Sequence, residues 1–153
     1  MLQKMAEQNE ELVKEYEEIG NVSMDVTYGK EHRTACSLAC HAGESGRLIG
    51  KTKGGHNTKV NATCDGWGRI FDICLTEGEA SDYKGAKVLL ERLPKWARRL
   101  LADMGYDADW VCNDAKSKGI SPCIPGRKNR KKSIRYNKEL YKQRNKIERA
   151  FAE

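Results

Sequence analysis

At 153 residues the chain is about one domain long, with room for a modest core. A third of its residues are charged and only 7% are aromatic, which is polar for a globular domain but short of the composition of a disordered chain. The net charge of +6 favours polyanionic partners, and no apolar run approaches the roughly 18–20 residues that a membrane span needs. The acidic start, MLQKMAEQNEELVKEYEEIG, lacks the apolar stretch of a signal peptide. Nucleic acid is therefore the expected partner, membrane is not, and the expected compartment is the cytoplasm.

Residues 1–20 form the first expected unit, a helix over about 3–19 that stops at Gly20. Asn21 to Thr27 alternates in character and carries β-branched residues, as a strand does. His32, Cys36 and Cys40 follow at four-residue spacing, with His41 beside them. Such a cluster is of a type that holds zinc, but the paired spacings of structural zinc sites are absent. Without an export signal, all six cysteines are expected to be reduced thiols. Residues 36–57, rich in Gly, Ser and Lys, are expected to be a loop.

Thr58–Cys64 and Arg69–Leu75 are strand-like runs separated by Asp65-Gly66-Trp67-Gly68, which predicts a hairpin with Phe71, Ile73 and Leu75 on one side. Ser81 or Asp82 can cap a helix running to about Leu93, ahead of Pro94. Leu100-Leu101-Ala102-Asp103 is a short apolar run that ends in an acid, the pattern of a buried strand delivering a carboxylate to a site. Asp107 is placed to cap a helix reaching Gly119. Ile120–Ile124 is a further strand candidate, and Tyr136 to the end a further helix. Trp67, Trp96 and Trp110 are expected in the core or in helix packing rather than as base-stacking platforms. Strands with helical crossovers give an α/β fold, a mixed sheet with helices packed on it.

From Lys116 to Arg149, thirteen Lys or Arg stand against Glu139 and Glu148 alone. The densest part is the loop carrying Arg127, Lys128, Arg130, Lys131 and Lys132, expected to contact phosphates without reading bases. Lys51, Lys53 and Lys59 would extend that track. In the last helix, Ile147 and Phe151 fall within about 20° of Leu140 at about 100° per residue. Tyr141, Arg144 and Glu148 share the flank of that stripe. Arg144 lies one turn before Glu148 and can orient it.

Tyr141-x-x-Arg144-x-x-x-Glu148 resembles the signature of a large group of bacterial insertion-sequence transposases, whose catalytic triad is Asp-Asp-Glu. Other segments resemble the same group in the same order. They are Asp25-x-Thr27 with His32-Arg33, then Gly54-Gly55-x-x-Thr58-Lys59-Val60 through Asp65-x-x-Gly68. Leu100-Leu101-Ala102-Asp103-x-Gly105-Tyr106-Asp107 and Ile124-Pro125 with its basic loop complete the set. The resemblance covers about residues 21–151, with Val26 where the group usually has Ser. It also suggests that the chain is short at its C-terminal side, as a truncated or second-frame form would be.

The resemblance implies an RNase H-like DDE catalytic domain over residues 21–153. Asp25, Asp103 and Glu148 would be the catalytic and metal-holding acids, with Tyr141 and Arg144 in support. Asp65 and Asp72 remain rivals of Asp25 as first acid, and His32 is a candidate to support the site. Two Mg2+ ions, or Mn2+, would suit such hard oxygen donors. The partners would be double-stranded DNA, as element ends and target, and further copies of the chain. The activity implied is DNA cleavage and strand transfer. A DNA-binding remnant without catalysis and a stand-alone RNase H-like nuclease are the alternatives, and a zinc-binding module is the outsider.

Overall fold

The computed structural model describes residues 18–30, 50–53 and 55–152. The expected N-terminal helix lies outside these residues except for its last positions, Glu18 and Ile19, which are helical. The whole His32, Cys36, Cys40 and His41 cluster also lies outside them.

Six strands form one sheet among the described residues. β1 (Asn21–Lys30) is central. It pairs antiparallel with β3 (Gly55–Cys64) on one side and parallel with β5 (Arg99–Ala102) on the other. The far edge of β3 is shared between the short β2 (Gly50–Thr52) and β4 (Ile70–Glu77), and β6 (Ser121–Cys123) pairs parallel with β5. β2 and the start of β3 fall within the stretch expected to be a loop. Backbone pairing to β1 and to each other there outweighs the poor strand propensity of their Gly, Lys and Asn residues.

The hairpin of β3 and β4 forms as its turn residues predict. The Asp65 Oδ1 accepts from the Trp67 and Arg69 amides at 2.9 and 3.0 Å, and Gly68 takes the left-handed backbone that its φ of 88° requires. β5 reads Arg-Leu-Leu-Ala because both its faces are covered; Leu100, Leu101 and Ala102 are fully buried.

Helices cover both faces of the sheet. α1 (Asp82–Glu91) is capped by Ser81, whose hydroxyl accepts from the Tyr83 amide, and α2 (Asp109–Ser117) ends at Gly119 with φ 73°. Their apolar stripes, Ala86, Leu89, Leu90, Val111 and Ala115, pack with Val22, Met24, Leu100 and Ala102 in the main core. On the opposite face, α4 (Asn145–Ala152) lays Ile147 and Phe151 over Ala62 and Cys64. Alternation along β1 decides the partition: Val22 and Met24 point to one layer, while Asn21, Ser23 and Asp25 point to the other. The chain thus adopts the expected α/β, RNase H-like arrangement of a mixed sheet with helices packed on it.

Three local expectations change. α2 is not capped by Asp107: Ala108 occupies its cap position, and a 3-10 turn, Met104–Tyr106, precedes it. The last helix is broken into α3 (Lys138–Tyr141), a 3-10 turn at Lys142–Arg144 and α4. Trp67, Trp96 and Trp110 are 45%, 40% and 41% exposed, so none belongs to the core, and only Trp110, between α2 and α1, keeps the expected place in helix packing. Trp96 meets Phe71 edge-on, Trp110 meets Tyr83 edge-on, and Arg69 lies over Trp67.

Candidate active site

The register of the sheet brings two acids together. Met24 of β1 sits beside Ala102 of β5 in a parallel pair, so the next residue on each strand, Asp25 and Asp103, leaves the pair on the same face. β1 continues past this point against β3, with Asp25 opposite Ala62, whereas β5 stops. Asp103 instead becomes the N-cap of the 3-10 turn, its Oδ1 accepting from the Gly105 amide at 2.8 Å. Asp65 and Asp72, the rivals as first acid, are committed elsewhere. Asp65 holds its own turn and pairs with Arg69, and Asp72 pairs with Arg92.

The last helical segment adds the third acid through an arginine. Arg144 Nη1 donates to Asp25 Oδ2 at 2.7 Å, and its Nη2 donates to Glu148 Oε1. The i, i+4 pair expected within the helix is therefore only half of the contact. The Arg144 and Asp25 side chains are each 16% exposed, against 51% for Glu148. The Tyr141 ring lies beside the guanidinium, 5.6 Å from its centre. Two further contacts seat this segment on the sheet. Asn21 Nδ2 donates to Gln143 Oε1 at 2.9 Å, and Lys146 reaches both the Gly66 carbonyl and Glu18.

The electrostatics show that the three acids share one field. Burial raises the Asp25 carboxyl above its usual range. The Val26 amide and Arg144 pull it down, and the neighbouring Asp103 and Glu148 charges push it up again. Burial disfavours charge on Arg144, but Asp25, Tyr141 and Glu148 outweigh it and hold the guanidinium more firmly protonated than usual. Tyr106 joins the same group. It is buried, its hydroxyl has no hydrogen-bond partner among the described residues, and it feels Asp25, Asp82 and Asp103 as well as Arg144. Sequence reasoning missed Tyr106, which looks like an ordinary core aromatic next to a glycine.

The basic loop divides into two sets. Arg127 and Arg130 face inward. Arg127 donates from its backbone to Asp107 Oδ2 at 2.8 Å, and from its side chain to the Met104 and Gly105 carbonyls and the Tyr83 hydroxyl. Arg130 pairs with Asp107 at 2.6 Å and with Asp109. Asp107, with a side chain 1% exposed, is thus the anchor of this loop rather than a helix cap. Lys128, Lys131 and Lys132 are exposed. Lys59 is withdrawn from any phosphate track, since its ammonium is buried against Asp82 at 2.6 Å.

A family model for the transposase DDE domain matches residues 36–153. The chain belongs to this transposase family. The match covers Asp103, Glu148 and the basic loop, and begins after β1, so it does not include Asp25. No curated protein sequence matches the chain. Among solved structures, the chain is similar to a piggyBac transposase synaptic complex with hairpin DNA, at 13% identity and a TM-score of 0.45 over 73% of this chain and 24% of that one. It is also similar to a Mos1 transposase paired-end complex with the left transposon end, at 12% identity and a TM-score of 0.43 over 93% of this chain and 57% of that one. A pre-cleavage Mos1 transpososome gives 11% identity and a TM-score of 0.40 over 94% and 58%. The transposase domain described here therefore spans less than three-fifths of each of those chains.

Proposed function

We propose that residues 21–153 form the catalytic domain of an insertion-sequence transposase that cuts DNA at the element ends and joins the freed ends to target DNA. The observation that carries this reading is that the β1–β5 register sets Asp25 and Asp103 at neighbouring strand positions while Arg144 bonds both Asp25 and Glu148, in a chain of the transposase DDE family.

Divalent metal is the natural complement of such a site. The donor set fits: three carboxylates offer hard oxygens, and their mutual repulsion at Asp25 calls for cationic charge. Among the described residues no three such side chains already converge on one coordination sphere. Asp25, Asp103 and Glu148 would hold the ions, Mg2+ or Mn2+. When bound, the ions would supply activation of an attacking oxygen and neutralisation of the leaving one. The protein's own contribution is placement. The β1–β5 register fixes the two aspartates, the Gly105 amide fixes the Asp103 carboxylate, and Ile147 fixes the helix that carries Glu148.

Double-stranded DNA would reach the site along the exposed lysines of the basic loop, where contacts to phosphate position without selecting sequence. The piggyBac synaptic complex and the Mos1 paired-end complex motivate a further proposal, that copies of this chain assemble on DNA. The setting we infer is the bacterial cytoplasm, on the nucleoid.

The test is Mg2+-dependent cleavage and joining of a labelled DNA end by the wild-type chain, D103N and E148Q. Loss of both activities in the two variants, about a hundredfold or more, is expected. Equal activity in all three would refute the acid assignment. Salt-sensitive DNA binding with no cleavage would mark a non-catalytic DNA-binding protein, and cleavage without joining a nuclease.

A further inference from the structure

One guanidinium stands between two of the acids proposed to hold metal. Arg144 gives one nitrogen to Asp25 and another to Glu148, from a position walled by the Tyr141 ring and the sheet. The other oxygen of Asp25 is also engaged, accepting from the Val26 amide at 2.9 Å. Three carboxylates against one guanidinium leave two formal negative charges, so the cluster still attracts a cation. An ion shared by Asp25 and Glu148 would nevertheless crowd against the guanidinium that holds Oδ2 of the one and Oε1 of the other. A divalent ion on the same oxygens would lie within a few ångströms of a half-buried positive group, where repulsion is poorly screened.

We propose that Arg144 is the resident counter-cation of this acid cluster, and that Asp25 and Glu148 hold a divalent ion together only when the guanidinium withdraws from them. The inference rests on the proposed metal site and adds to it a built-in competitor. Before metal arrives, Arg144 keeps two like charges close on the sheet face. Its long side chain can swing away from the cluster without moving the helix, because Ile147, and not Arg144, anchors α4 to Ala62 and Cys64. The arginine therefore sets the ion concentration at which the site loads. An arginine that merely orients Glu148 would act in the opposite sense, and its removal would weaken ion binding.

Mn2+ alone is the probe, titrated by calorimetry into the whole chain as wild type, R144Q, R144K and E148Q. Binding to R144Q should be about tenfold tighter than to wild type, the size of an ordinary coupling between two ligands. R144K should fall between them, and E148Q should bind more weakly than wild type. Ion binding that depends on Glu148 but is unchanged or weaker in R144Q would overturn the competitor while leaving the metal site standing. Binding that is absent, or indifferent to E148Q, would overturn both. Should R144Q fail to fold, the wild type decides the matter. The Arg144 Nε–H resonance, assigned with R144K, should shift during a Mg2+ titration with the midpoint of ion binding, and an unmoved resonance at saturation refutes the proposal.

Discussion

Replacing Arg130 with methionine tests whether the basic loop is an architectural clasp as well as a DNA-facing surface. The guanidinium bonds a carboxylate that is 1% exposed, and its own side chain is 26% exposed. Methionine keeps much of the apolar stem but leaves Asp107 with the Arg127 amide as its remaining donor among the contacts described here. Leaving a buried acceptor short of a partner costs roughly 1–3 kcal/mol, and here that cost belongs to the Asp107 carboxylate rather than to the guanidinium. At roughly 2–4 °C per kcal/mol for a domain of this size, the melting temperature should fall by about 2–12 °C. Chemical denaturation of wild type, R130M, D107N and the double variant gives the coupling directly. The double variant should cost less than the two single losses added together. A loss below about 0.5 kcal/mol in R130M, typical of an exposed charge, would refute the clasp.

The exposed lysines should behave oppositely. Replacing Lys128, Lys131 and Lys132 with alanine should leave the melting temperature within about 1–2 °C, since they are exposed. It should flatten the dependence of log Kd on log salt by roughly two to three in slope, measured by fluorescence anisotropy with duplex DNA; an unchanged slope would place the DNA elsewhere. A pH dependence follows from Cys64, whose thiol is pushed up to about 11, first by burial and then by Asp65. Its folded pKa lies above its unfolded one, so the folded state keeps the proton longer. Stability from this group is complete below about pH 8.5 and declines as pH rises toward 11. Between pH 8 and 10.5 the wild type should lose about 2 kcal/mol more than C64A in urea denaturation, and parallel curves would contradict the burial of this thiol.

The sequence carried the strands and the placement of acids better than the connections. Asp103 was legible because a buried parallel strand is a continuous apolar run, and Leu100-Leu101-Ala102 is one. The stripe of Ile147 was legible from helical spacing, but the 3-10 turn at Lys142–Arg144 was not, since no proline or glycine marks it. Arg144 was read as the local partner of Glu148. Its bond to Asp25 spans 119 residues and depends on which face of β1 meets the last helix, a tertiary fact without a local signal. Asp107 shows the same limit. An acid ahead of a helix satisfies the pattern of a cap, and only the returning loop reveals that its charge is spent on Arg130.

The contacts that complete the site join distant parts of the chain, 119 residues apart for Arg144 and Asp25 and 122 for Gln143 and Asn21. The β3–β4 hairpin, by contrast, closes over a four-residue turn. Folding is therefore ordered by loop-closure entropy: the hairpin can form early, the parallel β1–β5 pairing later, and the acid cluster last. During synthesis, β1 and its Asp25 must wait for the 119 residues that separate them from Arg144. A nascent chain thus holds the first acid long before it can hold the site, and cluster assembly reports the arrival of the segment that carries Arg144.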